Sequence, residues 1–102
     1  MGLRECILVA MKILPPSEMQ VLALVLTPHT GQEVGLLFRD LTGVGLSHGS
    51  LYSALRRLRE RGLVLMRKHE DPRCRLFVAS AAGKRKLAQT QKLYAELAAF
   101  GA

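Results

Sequence analysis

Ser50, Ser53 and Arg57 stand three and four residues apart, with Tyr52, Arg56 and Arg59 alongside. On a helix that spacing gathers side chains onto one surface. Short hydroxyls near a helix start let the backbone come close to base edges, and arginines farther along fork onto phosphate or guanine. Gly49 removes a side chain where such an approach is closest, His48 can donate as a neutral ring, and a helix N-terminus itself favours a phosphate. A second cationic group follows: Lys68, His69, Arg73 and Arg75 flank a polar tip and suit phosphate or a minor groove. Plainer roles exist for each. Tyr52 serves equally as a brace against the core, Ser50 and Ser53 as ordinary exposed helix residues, and the arginines and tip cations as a solvated surface.

Other chemistries fit the residues poorly. No glycine-rich loop leads into a helix through Lys-Ser or Lys-Thr, so no phosphate cradle is written here. Serine, histidine and acidic residues show no triad spacing. Three dispersed His and two distant Cys, Cys6 and Cys74, do not make a zinc site. Cys74 lies between Arg73 and Arg75, a setting that lowers a thiol pKa and suits redox sensing; an inert thiol is the plainer reading, and Cys6 offers no further clue. The expectation is a protein that is not an enzyme and carries no metal and no cofactor.

The chain has 102 residues, the length of one domain. Apolar residues make up 49% and aromatics 5%, with no Trp, so the core must be aliphatic. The longest apolar runs have six residues, whereas a membrane span needs about 20. Lys12 and the Pro15-Pro16 pair break any secretory pattern. These features lead us to expect a soluble, reducing, cytoplasmic protein without a membrane partner. Charge is the most informative quantity. Lys and Arg exceed Asp and Glu by 15 to 8. Before residue 46, three cations face four acids, a net of −1; from there on, twelve face four, a net of +8. A one-sided basic surface of this kind is the footprint of a polyanion-binding domain.

The elements that must position these residues follow from periodicity and capping. Leu3, Ile7, Met11 and Leu14 make a helical stripe over 2–14, which the two prolines end. Ser17-Glu18-Met19-Gln20 reads as a capping box opening a buried helix to about Leu26, with Pro28 beyond it. Thr30-Gly31-Gln32-Glu33 is a second such box, opening a helix with Val34, Leu37, Phe38 and Leu41 on one face. Gly43-Val44-Gly45 turns the chain. Ser47 caps a third helix to about Arg61, buried through Leu51, Ala54, Leu55 and Leu58, with Gly62 at its left-handed C-cap. Leu63–Lys68 and Arg75–Ala79 are strands joined by a polar tip. Ser80 caps a last helix to about Phe100, whose apolar positions are Leu87, Leu93, Tyr94, Leu97 and Phe100.

This order predicts a mainly α fold with a small β-hairpin, a winged helix-turn-helix of three helices, a two-stranded wing and a C-terminal helix. The predicted organisation is an N-terminal helical extension over 1–14, the DNA-binding domain over 15–80 and a C-terminal dimerisation helix over 81–102. In such a fold the third helix enters a major groove and the hairpin lies along the adjacent backbone.

Residues 29–83 resemble the PadR family of winged-helix transcriptional regulators. The resemblance is carried by Ser47-His48-Gly49-Ser50-Leu51-Tyr52-Ser53-Ala54-Leu55-Arg56-Arg57-Leu58, followed by Glu60 and Gly62-Leu63-Val64. It is similar to a family pattern of small residue, Gly, Thr or Ser, Leu, Tyr, Pro, Ala, Leu, a basic pair and Leu. His29, Gly31, Glu33 and Val34 match an earlier His-Gly-Tyr-Glu-Leu pattern, and Arg73 to Gly83 a later one. Gln32, Ser53, Arg59 and Phe77 depart from it. The resemblance implies a homodimeric repressor of a pseudo-palindromic double-stranded DNA operator, with the C-terminal helix helping dimerisation. It also allows for a small-molecule effector, itself unidentified. Leu87, Leu93, Tyr94, Leu97 and Phe100, joined by Leu3, Ile7 and Met11, would fill a two-fold seam, unless the last helix packs onto its own domain. The competing expectation is a winged-helix protein–protein interaction module whose basic face meets an acidic partner.

Overall fold

The computed structural model describes residues 14–101. It contains α1 (Pro16–Leu24), β1 (His29–Thr30), α2 (Gly31–Thr42), α3 (His48–Glu60), β2 (Val64–Lys68), β3 (Arg75–Ala79) and α4 (Ala81–Phe100). The architecture is a mainly helical winged helix. The expected helix over 2–14, with Leu3, Ile7 and Met11, lies outside the described residues except at Leu14, which is buried.

Three differences from the sequence reading stand out in the first half. The Ser17 capping box does not form: Pro15 is the N-cap and no side chain caps α1. Proline needs no amide partner and is pre-shaped for the first helical position, so Pro16 starts the helix and carries Ser17 inside it. The helix also stops at Leu24, short of Leu26, because the Val25 carbonyl accepts the Ala79 amide at 2.7 Å instead of continuing the helix. Finally, the two-stranded wing forms as β2 paired with β3, and a third strand adds to its sheet. His29 and Thr30 pair antiparallel with Phe77 and Leu76, giving a sheet in the order β1-β3-β2. Two residues are too few to show an alternation of apolar and polar positions.

The second capping box is present. Thr30 Oγ1 accepts the Glu33 amide at 3.2 Å, and the Thr30 amide donates to Glu33 Oε1 at 2.8 Å. That backbone amide holds the Glu33 carboxyl below its usual value. The α2 face is buried at Val34 and Phe38, but Leu41 is 73% exposed, since no α2 residue beyond Phe38 reaches the core.

The predicted stripe of α3 is buried as expected, with Leu51, Ala54, Leu55 and Leu58 all 4% exposed or less. Ser47 Oγ accepts the Ser50 amide at 3.1 Å and opens the helix. It closes through Gly62, with φ 73°. The Gly62 amide donates to the Arg59 carbonyl and the Leu63 amide to the Leu58 carbonyl, both at 2.9 Å. This Schellman arrangement satisfies carbonyls that the helix end would otherwise orphan.

Ser80 joins this end to α4. Its hydroxyl accepts the Gly83 amide at 3.0 Å and donates to the Gly62 carbonyl at 2.6 Å. A side chain at Gly83 would collide with the Leu63 carbonyl, so α4 begins hard against the carbonyl end of α3. Lys84, Arg85 and Lys86 stand at the wrong end of their own helix dipole. The core is a single aliphatic cluster running from Leu14 through Val21, Leu22 and Leu55 to Leu87, with Phe77 as its aromatic. Leu87 is 3% exposed within its own protomer, so it cannot belong to the dimer seam expected of it. Farther along α4, Thr90 Oγ1 accepts the Leu14 amide at 3.4 Å and the Tyr94 hydroxyl donates to the Leu14 carbonyl at 3.2 Å. Beyond that clamp Leu97 and Phe100 are exposed. No helix among the described residues is long and apolar enough to cross a membrane.

Candidate nucleic-acid interface

The buried stripe of α3 fixes what faces outward. At about 100° per residue, the line opposite Leu51, Ala54, Leu55 and Leu58 is Gly49, Ser53, Arg56 and Glu60. Ser50 and Arg57 fall on the shoulder toward α1, and His48, Tyr52 and Arg59 on the shoulder toward the sheet. The outward centre therefore carries two small residues before its first cation.

A groove of about 1000 Å³ runs between α2, α3 and the wing. Its walls include Ser53, Arg56 and Arg59 from α3, Arg73, Cys74 and Arg75 from the wing side, and Gln32 and Arg39 from α2. Five of its lining residues are arginines and none is acidic. Cations placed along a concave wall concentrate field and favour a polyanion. On the other shoulder a second basin of about 660 Å³ has Ser17, Ser47, Gly49, Ser50, Ser53 and Arg57 in its lining.

Several of the residues expected at the site have internal partners. The Tyr52 ring lies 4.4 Å from the His48 ring and edge-on to Phe77 at 6.2 Å, centroid to centroid. Its hydroxyl fills the space that a Gly31 side chain would need. Tyr52 thus braces α3 against the start of α2 and against β3, while staying 38% exposed. Ser50 accepts a hydrogen bond from the Ser47 hydroxyl at 2.8 Å and keeps its own proton to donate. Arg57 Nε lies 3.5 Å from Glu18 Oε1, and the Glu18 side chain is 6% exposed. That carboxylate oxygen has no hydrogen-bond partner, so the nearby guanidinium charge is its main compensation.

The wing tip is organised by Asp71. Its amide donates to His69 Nδ1 at 3.0 Å. Its carboxylate accepts the Arg73 amide at 2.9 Å, Nε at 3.2 Å and Nη2 at 3.1 Å. These bonds hold the Asp71 carboxyl below its usual value and raise that of Arg73. Arg75 Nη1 donates to the Pro72 and Cys74 carbonyls, each at 2.9 Å. Lys68, at the end of β2, is exposed.

The fold brings His48, Gly49, Tyr52, Ser53 and Arg56 of α3 to one groove with Arg73 and Arg75 of the wing, whereas Ser50, Arg57, Lys68 and His69 do not line it. It adds Arg39, which sequence periodicity did not single out, and gives Arg59 a place in the wall. Arg39 arrives there through the packing of α2 on α3, which no local pattern encodes. The excess of cations was no signal for it either, since Arg39 lies in the part of the chain with a net charge of −1. Among the described residues no cluster of three or more His, Cys, Asp or Glu could hold a metal ion.

Comparison with known proteins places this geometry. Residues 21–89 match the family described as the transcriptional regulator PadR-like family. No curated protein matches the chain. Among solved structures, a PadR family transcriptional regulator from Eggerthella lenta is similar with a TM-score of 0.76 and 19% identity, over 92% of this chain and 84% of that one. A transcriptional regulator from Clostridium thermocellum gives a TM-score of 0.70 and 20% identity, over 78% of this chain and 83% of its own. PadR of Bacillus subtilis, solved in complex with operator DNA, gives 0.65 and 18%, over 72% of this chain and 45% of the longer protein. At these identities the likeness is one of fold.

Proposed function

The chain belongs to the PadR-like family of transcriptional regulators, and from that premise we propose that it is a cytoplasmic, homodimeric repressor of a pseudo-palindromic operator in double-stranded DNA. One observation carries the reading: a groove with five arginines and no acid in its wall runs beside a helix whose outward line begins with small residues. Gly49 and Ser53 let α3 settle into a major groove, and Arg56 reaches base edges or phosphate from the next turn. His48, Ser50, Tyr52 and Arg57 border the contact, with Tyr52 and Arg57 also holding α3 in place. Lys68, His69, Arg73 and Arg75 follow the neighbouring backbone from the wing, where contacts set register without reading sequence. The operator-bound relative from Bacillus subtilis supports the same use of the fold.

The dimer is built from the far end of α4, where Leu97 is 55% and Phe100 93% exposed and Leu93 and Tyr94 are half-buried. A two-fold contact there is self-complementary. Two copies of α3 then meet successive major grooves about one helical turn apart. Repression follows by occlusion, the simplest outcome for a DNA-binding domain of this size.

Selection of bound sequences from a random DNA pool tests the proposal. Recovered sites with two symmetric half-sites, centred about 10 base pairs apart, are the expected result. A pool that stays random, together with binding to an acidic protein partner, would replace it with the interaction-module reading.

A further inference from the structure

The wing tip holds an arginine that DNA would need and occupies it with an acid. Arg73 is 88% exposed at its side chain, yet its Nε and Nη2 both lie on the Asp71 carboxylate, at 3.2 and 3.1 Å. This is the fork-to-fork geometry in which an arginine engages two oxygens of a phosphate. The edge of the guanidinium suited to a bidentate phosphate is therefore taken in the free protein. We propose that Asp71 is a built-in phosphate surrogate: it holds Arg73 in the unbound wing, must be displaced by a backbone phosphate, and so sets the sequence-independent DNA affinity of this protein. The inference rests on the DNA-binding reading above and concerns how that surface is restrained.

The surroundings favour exchange over a permanent structural bond. The Asp71 side chain is 34% exposed, so neither partner is sealed from solvent, and an exposed pair is held weakly. Asp71 has a second reason to stand there. Its Oδ1 also accepts the Arg73 amide at 2.9 Å, which shapes the turn. The turn needs only an acceptor, whereas the guanidinium responds to the charge. The two roles can thus be separated by an amide. Phosphate competes well in this setting, because it brings the same pair of oxygens along with the field of the whole duplex. Once it is bound, the displaced carboxylate remains beside it as a like charge. Both effects oppose every DNA sequence alike, which reduces trapping on non-operator DNA.

Glu70 provides an internal control. It is the neighbouring acid, is exposed, and makes no bond to Arg73. Removing its charge changes the field at the tip without freeing the fork.

The test is a salt series of binding to a non-operator duplex, using the full chain and the variants Asp71→Asn, Glu70→Gln, Arg73→Ala and Asp71→Asn/Arg73→Ala. Asp71→Asn keeps the oxygen that shapes the turn. It is expected to bind about two- to fivefold tighter at low salt, the range an exposed pair can supply. Its log–log salt slope should match that of the wild type, because Arg73 engages one phosphate in both bound states and only the cost of freeing it differs. Glu70→Gln should gain less and keep the wild-type slope. In the Arg73→Ala background, Asp71→Asn should gain no more than Glu70→Gln does. If Asp71→Asn binds no tighter than Glu70→Gln, or keeps its full advantage without Arg73, the surrogate role is wrong while DNA binding stands. If neither wild type nor any variant binds duplex DNA, the DNA reading itself fails and takes this inference with it.

Discussion

Two arginines of the basic surface, Arg57 on the α3 shoulder and Arg73 at the wing tip, are both paired with a carboxylate, and the pairs differ in kind. Glu18 is buried in α1 and has no hydrogen-bond partner for Oε1, so Arg57 beside it is half structural. Asp71 is reached by solvent and makes three bonds to one residue, so Arg73 can change partner without disturbing the core. Burial of the acid, rather than exposure of the arginine, separates a cation that holds the fold from one that is available to a ligand. Arg56 belongs with neither: it lies on the outward line of α3 and in the groove wall.

The largest expected effect tests the buried side of that contrast. Arg57→Ala should cost about 1–3 kcal/mol of stability in denaturant unfolding, the penalty for leaving a buried polar group uncompensated. The loss should shrink when Glu18 is replaced by Leu. A stability change as small as that of Arg73→Ala would erase the distinction. Arg56→Ala should leave stability within about 0.5 kcal/mol and weaken operator binding by up to about 1–3 kcal/mol if Arg56 reads a base. Equal affinity of wild type and variant for operator would remove Arg56 from the contact.

Arg73→Ala should likewise leave stability within about 0.5 kcal/mol and flatten the salt slope of duplex binding by about 0.9, for operator and non-operator alike. Loss confined to one sequence would make it a base reader instead. The smallest effect concerns acid. Glu33 and Asp71 are exposed carboxyls whose folded values are depressed by hydrogen bonds from Thr30 and Arg73. Their contribution to stability is present above the ordinary carboxylate range and is lost as pH falls through the depressed values. Denaturant midpoints should therefore hold level down to about pH 5 and then decline, less steeply in Glu33→Gln. An unchanged acid decline in that variant would remove the Thr30–Glu33 box from the account.

Much of the scaffold could be read from local chemistry. The α3 stripe, the Ser47 and Ser80 caps, the Gly62 turn and the strands on either side of the tip each depend on residues within a few positions of one another. Failures arose where a partner was distant or a neighbour overrode the pattern. Pro16 displaced the Ser17 cap, β1 became visible only against β3, and Leu87 lay within reach of its own core. The site divides the same way. The Asp71–Arg73 pair spans two residues of a turn and was open to local reading. The Glu18–Arg57 pair and the arrival of Arg39 in the groove depend on helices meeting in space.

If the α3–wing surface binds duplex DNA through many phosphate contacts, as proposed, a salt series of duplex affinity reveals it. Log affinity should fall steeply and linearly with log salt, each neutralised phosphate adding about 0.9 to the slope, with Arg56→Ala and Arg73→Ala both weaker than wild type. Affinity at low salt no better than that of an unrelated protein of equal charge, unaltered by either substitution, would contradict it.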